Sequence, residues 1–214
     1  MTTLAKIDNT AILAEFTGGS TTDVAMMIGI GLVKDSDAVF FQYPGDEQPA
    51  QALSFPSGKP VTYMANVKLN GIEVVDRQDE FKSVKLNLFL ESSAGTIVML
   101  TAGLQTIWSQ CIVTALMGLV DSGNLDSSFK LDTWKGTSSL RPCFAAIKVN
   151  DVRMSDQLTY DTLADARSDR NPDKTKELMR DYVAMIKGAL TGGPIEETVI
   201  TVDEAAAELF WIYV

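Results

Sequence analysis

The residues of this chain best placed to do chemistry are lysines and aromatic rings set on alternate positions of strand-like segments. In Val84–Glu91, Val84, Leu86, Leu88 and Leu90 point one way and Lys85, Asn87 and Phe89 the other. In Phe129–Lys135, Phe129, Leu131 and Thr133 take one face, and Lys130, Asp132 and Trp134 the other. From Pro142 to Val149, Cys143, Ala145, Ile147 and Val149 alternate with Phe144 and Lys148. In Val61–Asn70, Val61, Tyr63, Ala65, Val67 and Leu69 oppose Thr62, Met64, Asn66, Lys68 and Asn70. If the apolar sets fill a core, the outer surface gathers Lys68, Lys85, Lys130 and Lys148 with the rings of Phe89, Trp134 and Phe144. Bases stack on ring faces for about 1–3 kcal/mol each while ammonium groups neutralise phosphates, which is what sequence-tolerant single-strand binding needs. Outward lysines are also ordinary solubility residues, and a ring can be covered by flanking chain, so the weight lies in the combination. Lys135 and Arg141 flank the loop 136–139 and form a second rank of candidates. Arg77 and Lys82 adjoin another loop, where Asp76, Asp79 and Glu80 would repel phosphate.

Most other chemistries lack their residues; an enzyme using carboxylates and a divalent metal is the one left open. There is no histidine, which removes Ser-His-Asp and Cys-His nucleophile pairs and His-ligated zinc. The two cysteines, Cys111 and Cys143, are too few for a Cys-rich zinc site and read as buried free thiols. No EF-hand loop, phosphate-binding P-loop or GxSxG elbow occurs, and Gly29 and Gly31 lack the third glycine of a dinucleotide fingerprint. The expectation is a protein that is not an enzyme, with no cofactor and no metal.

The net charge of −10 argues against a polyanionic partner, but it is unevenly spread. Residues 1–58 carry two basic and seven acidic side chains, 59–150 nine and eight, and 151–214 seven and thirteen. A basic face can therefore form on the middle third. No apolar run approaches the roughly 18 residues that span a bilayer, and Met1–Glu15 has no leader-like apolar core. The reading is cytoplasmic, without membrane association.

The elements that must position these residues follow from the same periodicities. In residues 1–58, an N-terminal extension, two β-leaning runs around Lys34–Asp37 suit a hairpin, and 44–60 reads as a connector. Strands at 61–70, continued through 72–75 past a turn or bulge at Asn70-Gly71, at 84–91 and at 96–101 precede an amphipathic helix marked by Leu104, Ile107, Trp108, Cys111, Ile112, Ala115, Leu116 and Leu119. Trp108 belongs to its core face, and Asp121-Ser122-Gly123 stops it. Strands at 129–135 and 142–149 follow. In the C-terminal extension, 151–214, Pro172 starts a helix with Leu178, Tyr182, Met185, Ile186 and Leu190 on its apolar face, and Glu196–Val202 alternates like an edge strand.

Strand, strand, strand, helix, strand, strand is the order of a five-stranded OB barrel. Residues 59–150, through VKLNLFLESSAGTIVMLTAG, LQTIWSQCIVTALMGL and FKLDTWKGTSSLRPCFAAIKV, resemble the OB-fold single-stranded-DNA-binding proteins of the divergent phage and bacterial kind. The resemblance implies a mainly β, α+β fold: an OB-type barrel with the helix between its third and fourth strands, carrying both extensions packed on it. It implies single-stranded DNA, with RNA as the alternative, as the partner, and a role in replication, repair or recombination in the cytoplasm, the host's if the chain is phage-encoded. The same strands also suit an α+β domain of other connectivity. A second class of function, a protein adaptor or assembly subunit, is suggested by the acidic total and by Phe210, Trp211, Ile212 and Tyr213. That cluster reads as docked on the chain itself or at a homo-oligomer interface, or as a tip for a protein partner.

Overall fold

The computed structural model describes residues 26–31, 37–42, 50–77, 83–138 and 141–192. The expected strand at Glu196–Val202, the Phe210–Tyr213 cluster, Lys82 and its acidic neighbours Asp79 and Glu80 lie outside them. The strands are β1 (Met26–Ile30), β2 (Phe40–Gln42), β3 (Gln51–Ala52), β4 (Tyr63–Asp76), β5 (Val84–Glu91), β6 (Ile97–Gly103), β7 (Phe129–Lys135), β8 (Cys143–Val149) and β9 (Val152–Arg153). The helices are α1 (Ile107–Asp121), α2 (Gln157–Ser168) and α3 (Pro172–Leu190).

All nine strands lie in one open, mixed sheet, in the order β3-β2-β1-β6-β5-β4-β7-β8-β9. The fold is α+β, and the expected closed five-stranded barrel does not form. Closure would need the third and last barrel strands to pair, but both edges are taken. β6 pairs instead with β1 in parallel register, Met26 opposite Val98 and Ile28 opposite Leu100. β8 pairs with β9 across the Asn150-Asp151 turn, where both residues have positive φ as a two-residue hairpin turn demands. The runs around residue 35 do form an antiparallel pair, Ile30 opposite Phe40. The expected connector contains β3 and a bridge between Ser54 and Pro60.

One face of the sheet is buried. Leu86, Leu88 and Leu90 of β5, Val98 and Leu100 of β6, Leu131 of β7 and Ile147 of β8 join Trp108, Ile112 and Leu116 of α1 and Met179 and Ile186 of α3 in a single cluster. α1 lies on β8 and touches β6, α3 lies on β4, and α2 packs on both helices. Cys111 and Cys143 are free but only half-buried, not core thiols.

Strand β4 departs from the simple alternation. Met64 is buried opposite Leu131, and Tyr63 points away from the helices opposite Asp132. Both assignments reverse the expected phase. The register shifts between Met64 and Val67, where Asn66 takes φ 56°, so Val67 and Leu69 return to the core. A second shift between Leu69 and Gly71 keeps Ile72 inward.

Each helix starts on a side-chain cap. Thr106 accepts from the Ser109 amide, Asp156 from Thr159 and Asn171 from Lys174. Helix α2 was not expected: of its twelve residues only Thr159, Leu163 and Ala166 are buried, a thin stripe. It is held at its start, where the Asp156 amide donates to Thr114 O at 3.0 Å. There Gly118 of α1 lets the chain approach. A Cβ at Gly118 would lie 2.8 Å from the backbone N and C of Ser155. Helix propensity alone would make Gly118→Ala stabilising by up to about 1 kcal/mol. The close backbone reverses the sign, and overpacking should cost about 1–3 kcal/mol. Urea denaturation of the variant measures this, and a more stable Gly118→Ala protein would show that the α1–α2 contact is looser than described.

Candidate nucleic-acid interface

On β7 and β8 the residues pointing away from the helices form cross-strand pairs: Lys130 with Lys148, Asp132 with Ala146, and Trp134 with Phe144. Two lysines directly opposite each other repel. Asp132 answers both, with Oδ1 2.8 Å from Lys130 Nζ and Oδ2 2.9 Å from Lys148 Nζ. Tyr63 completes the cluster, the Lys130 ammonium lying 4.9 Å from its ring centroid. Burial works to raise the pKa of Asp132, but the two ammonium groups outweigh it and hold the carboxyl below the ordinary carboxylate range. Hydrogen bonding to Asp132 raises that of Lys130.

Trp134 and Phe144 stack with ring centroids 5.9 Å apart and planes 15° from parallel. Trp134 is 41% exposed, although large rings normally bury their area. Gly136 permits the arrangement: a Cβ there would meet the Phe144 ring at 2.8 Å and Pro142 at 3.2 Å. Beyond Trp134 opens a shallow groove of about 730 Å³ bordered by Lys135, Thr137, Ser138 and Arg141, with Thr62 and Asp37 opposite. Arg141 spans it to Asp37, Nη2 to Oδ1 at 2.8 Å, from a left-handed backbone (φ 43°).

The remaining candidates sit on the same face but on β4 and β5. Lys68 lies opposite Glu91, Lys85 opposite Val75, and Phe89 opposite Gly71, its ring 3.4 Å from where a Cβ of that glycine would be. Neither Lys68 nor Lys85 is ion-paired with a described residue. Asn87 points outward as expected yet is only 9% exposed, and its Nδ2 donates to Glu73 Oε1 at 3.0 Å. It is a structural residue of the face and not a free contact group.

The structure therefore gathers Lys130, Trp134, Lys135, Arg141, Phe144 and Lys148 into one region, with Lys68, Lys85 and Phe89 on the other half of the sheet. Sequence reasoning missed Tyr63, which alternation had sent to the core, and the Asp37 and Thr62 wall of the groove. Among the described residues, no group of three or more Cys, Asp or Glu side chains converges as a metal site would require. No helix among them is long and apolar enough to cross a membrane. No family model matches the sequence, and neither a curated protein nor a solved structure matches it significantly.

Because the carboxyl of Asp132 titrates low in the folded protein, its ion pairs add stability above about pH 4, where an unfolded aspartate is ionised. That contribution is lost as pH falls through the folded value. Asp132→Asn should be less stable than wild type at pH 7 by up to about 1 kcal/mol, given the partial exposure of the pairs. The difference should vanish in acid. Parallel denaturation curves at neutral and acidic pH test it, and a gap that persists in acid would mean that the ion pairs are not its source.

Proposed function

We propose that this chain binds single-stranded nucleic acid, DNA foremost, without catalysing a reaction on it, and serves replication, repair or recombination. The observation that carries the reading is the Trp134–Phe144 stack, on the sheet face away from the helices at the lip of a groove edged by Lys135 and Arg141. A base added to the exposed face of the indole continues a stack already begun by Phe144, at a cost in ordering that the protein has met in advance. The backbone phosphates would run over Lys135 and Arg141 on one side and Lys130 and Lys148 on the other. The reading does not depend on a barrel; an open sheet face offers the same chemistry. A protein-adaptor role has its own support in the exposed apolar side chains of Val152, Leu158 and Tyr160 at the β9–α2 corner.

Titration with oligo-dT at two salt concentrations separates these. Trp134→Ala and Phe144→Ala should each weaken binding by about 1–3 kcal/mol at both salts without unfolding the protein. Lys135→Ala should instead lower the slope of log affinity against log salt by about 0.7. Asp132→Asn should steepen that slope by releasing Lys130 and Lys148. If oligo-dT neither shifts the protein at micromolar concentration nor quenches its tryptophan fluorescence, this function is wrong and the adaptor reading stands.

A further inference from the structure

On the helix side of the sheet, away from the aromatic face, α1, α2, α3 and the β8–β9 corner border a cleft made of two adjoining pockets that share Gln110 and Arg167 in their walls. The inner chamber, about 50 Å³, is walled by Cys111 and Thr114 of α1, Ala145 of β8 and Leu163 of α2. The outer chamber, about 290 Å³, is bordered by Gln105, Arg170 and Thr175. Gln110 and Arg167 border both chambers, and Arg153 and Tyr160 border the inner one.

Two features of this cleft are unusual. Gln110 is 4% exposed, and while its Nε2 donates to Gln105 O at 3.0 Å, its Oε1 has no hydrogen-bond partner. A buried amide oxygen left in this state carries a desolvation penalty that a bound N–H or O–H removes. The second feature is charge. Arg153, Arg167 and Arg170, like Arg77, have no carboxylate partner among the described residues, whereas Arg141 and Arg180 are paired with Asp37 and Asp76. In a chain with 28 carboxylates against 18 cations, three unpaired guanidiniums around one cleft are not explained by a shortage of partners.

We propose that this cleft is a binding site for a small organic phosphate. Its phosphate would lie between Arg167 and Arg170, with Arg153 at the inner mouth. A donor on its body would bond Gln110 Oε1, and a compact apolar part would enter the chamber beside Cys111. Guanidinium groups present five donors in a fixed fork and stay charged at every working pH, which suits a phosphate's several oxygens. Three guanidiniums exceed what the two oxygens of one carboxylate can engage. The N-terminus of α3 contributes little, because Pro172 has no N–H and the Lys174 amide already donates to Asn171 Oδ1. The site is independent of the sheet face.

Thermal-shift and calorimetric titrations of the full chain test the proposal at matched ionic strength. The probes are inorganic phosphate, glycerol 3-phosphate, a nucleoside 5′-monophosphate and, as the carboxylate arm, succinate. A phosphate ester should bind saturably, one per chain. Arg167→Ala should weaken it about tenfold or more, the loss expected for one charged hydrogen-bonding group. Arg170→Asn, which tolerates the left-handed backbone at φ 52°, should do the same if Arg167→Ala fails to fold. Gln110→Met should weaken the esters and leave inorganic phosphate unchanged, and Trp134→Ala should leave inorganic phosphate and glycerol 3-phosphate, which have no base to stack, unchanged. The proposal is overturned if no phosphate binds at millimolar concentration, if succinate binds as tightly as the esters, or if the arginine variants bind like wild type.

Discussion

One strand passes from one ladder to another along its length, and the make-up of the open face depends on how it does so. The C-terminal half of β4 pairs with β5 and its N-terminal half with β7. Along its fourteen residues a single unbroken alternation set by Tyr63 and Met64 would send Val67 and Leu69 outward. The two register shifts reset the phase, and Met64, Val67, Leu69 and Ile72 all reach the core. Asn66 makes the first shift affordable, since a short polar side chain tolerates the left-handed backbone better than a branched one. Without that shift Tyr63 would be buried and Met64 would stand beside Lys130. The open face would then lose the ring that Lys130 covers.

Among the described residues the helices cover one side of the sheet, and the way charge is placed on the other limits what it can do. Lys130 and Lys148 are held by Asp132 and Arg141 by Asp37, so a phosphate arriving at these groups competes with carboxylates already in place. Electrostatic attraction is correspondingly blunted, as the net charge of −10 would suggest. The rings have no such competitor. On this face stacking would supply affinity and the cations would supply register, the reverse of the usual phosphate-dominated balance for duplex DNA.

How far this was legible in the sequence depends on the range of the interaction concerned. Leu86, Leu88 and Leu90, and Phe129, Leu131 and Thr133, lie on the inner face because an undisturbed strand with one buried side writes its phase into every second residue. Trp108 was legible because helical spacing is equally local. The Ala65–Asn66 irregularity has no comparable mark, and a single asparagine is too weak a signal to move a phase boundary. Helix α2 was hidden by composition, since three small or medium buried residues in twelve give almost no periodicity. The open sheet was the least legible feature. Whether the far edge of β6 meets β8 or β1 is decided by pairing between distant segments, and Met26–Ile30 reads the same whether it lies parallel to β6 or elsewhere.

Strand β8 shows why the candidate sites can be considered separately. Phe144 and Ala145 are neighbours in sequence and point to opposite sides of the sheet, one into the aromatic stack and the other into the wall of the arginine-lined cleft. A strand could transmit movement between the two only by shifting along or tilting within its ladder. β8 is fixed on one edge by continuous pairing with β7 from Lys130–Lys148 to Lys135–Cys143, and on the other by β9 at Lys148 and Val149. Its inner face is pressed by α1, with Ile147 fully buried. A strand paired along the whole of one edge and pressed from beneath is stiff, so a side chain removed on one face leaves the backbone geometry of the other in place. The aromatic face and the cleft thus share a strand without sharing a degree of freedom, and a loss of binding in one can be assigned to the residues of that side alone.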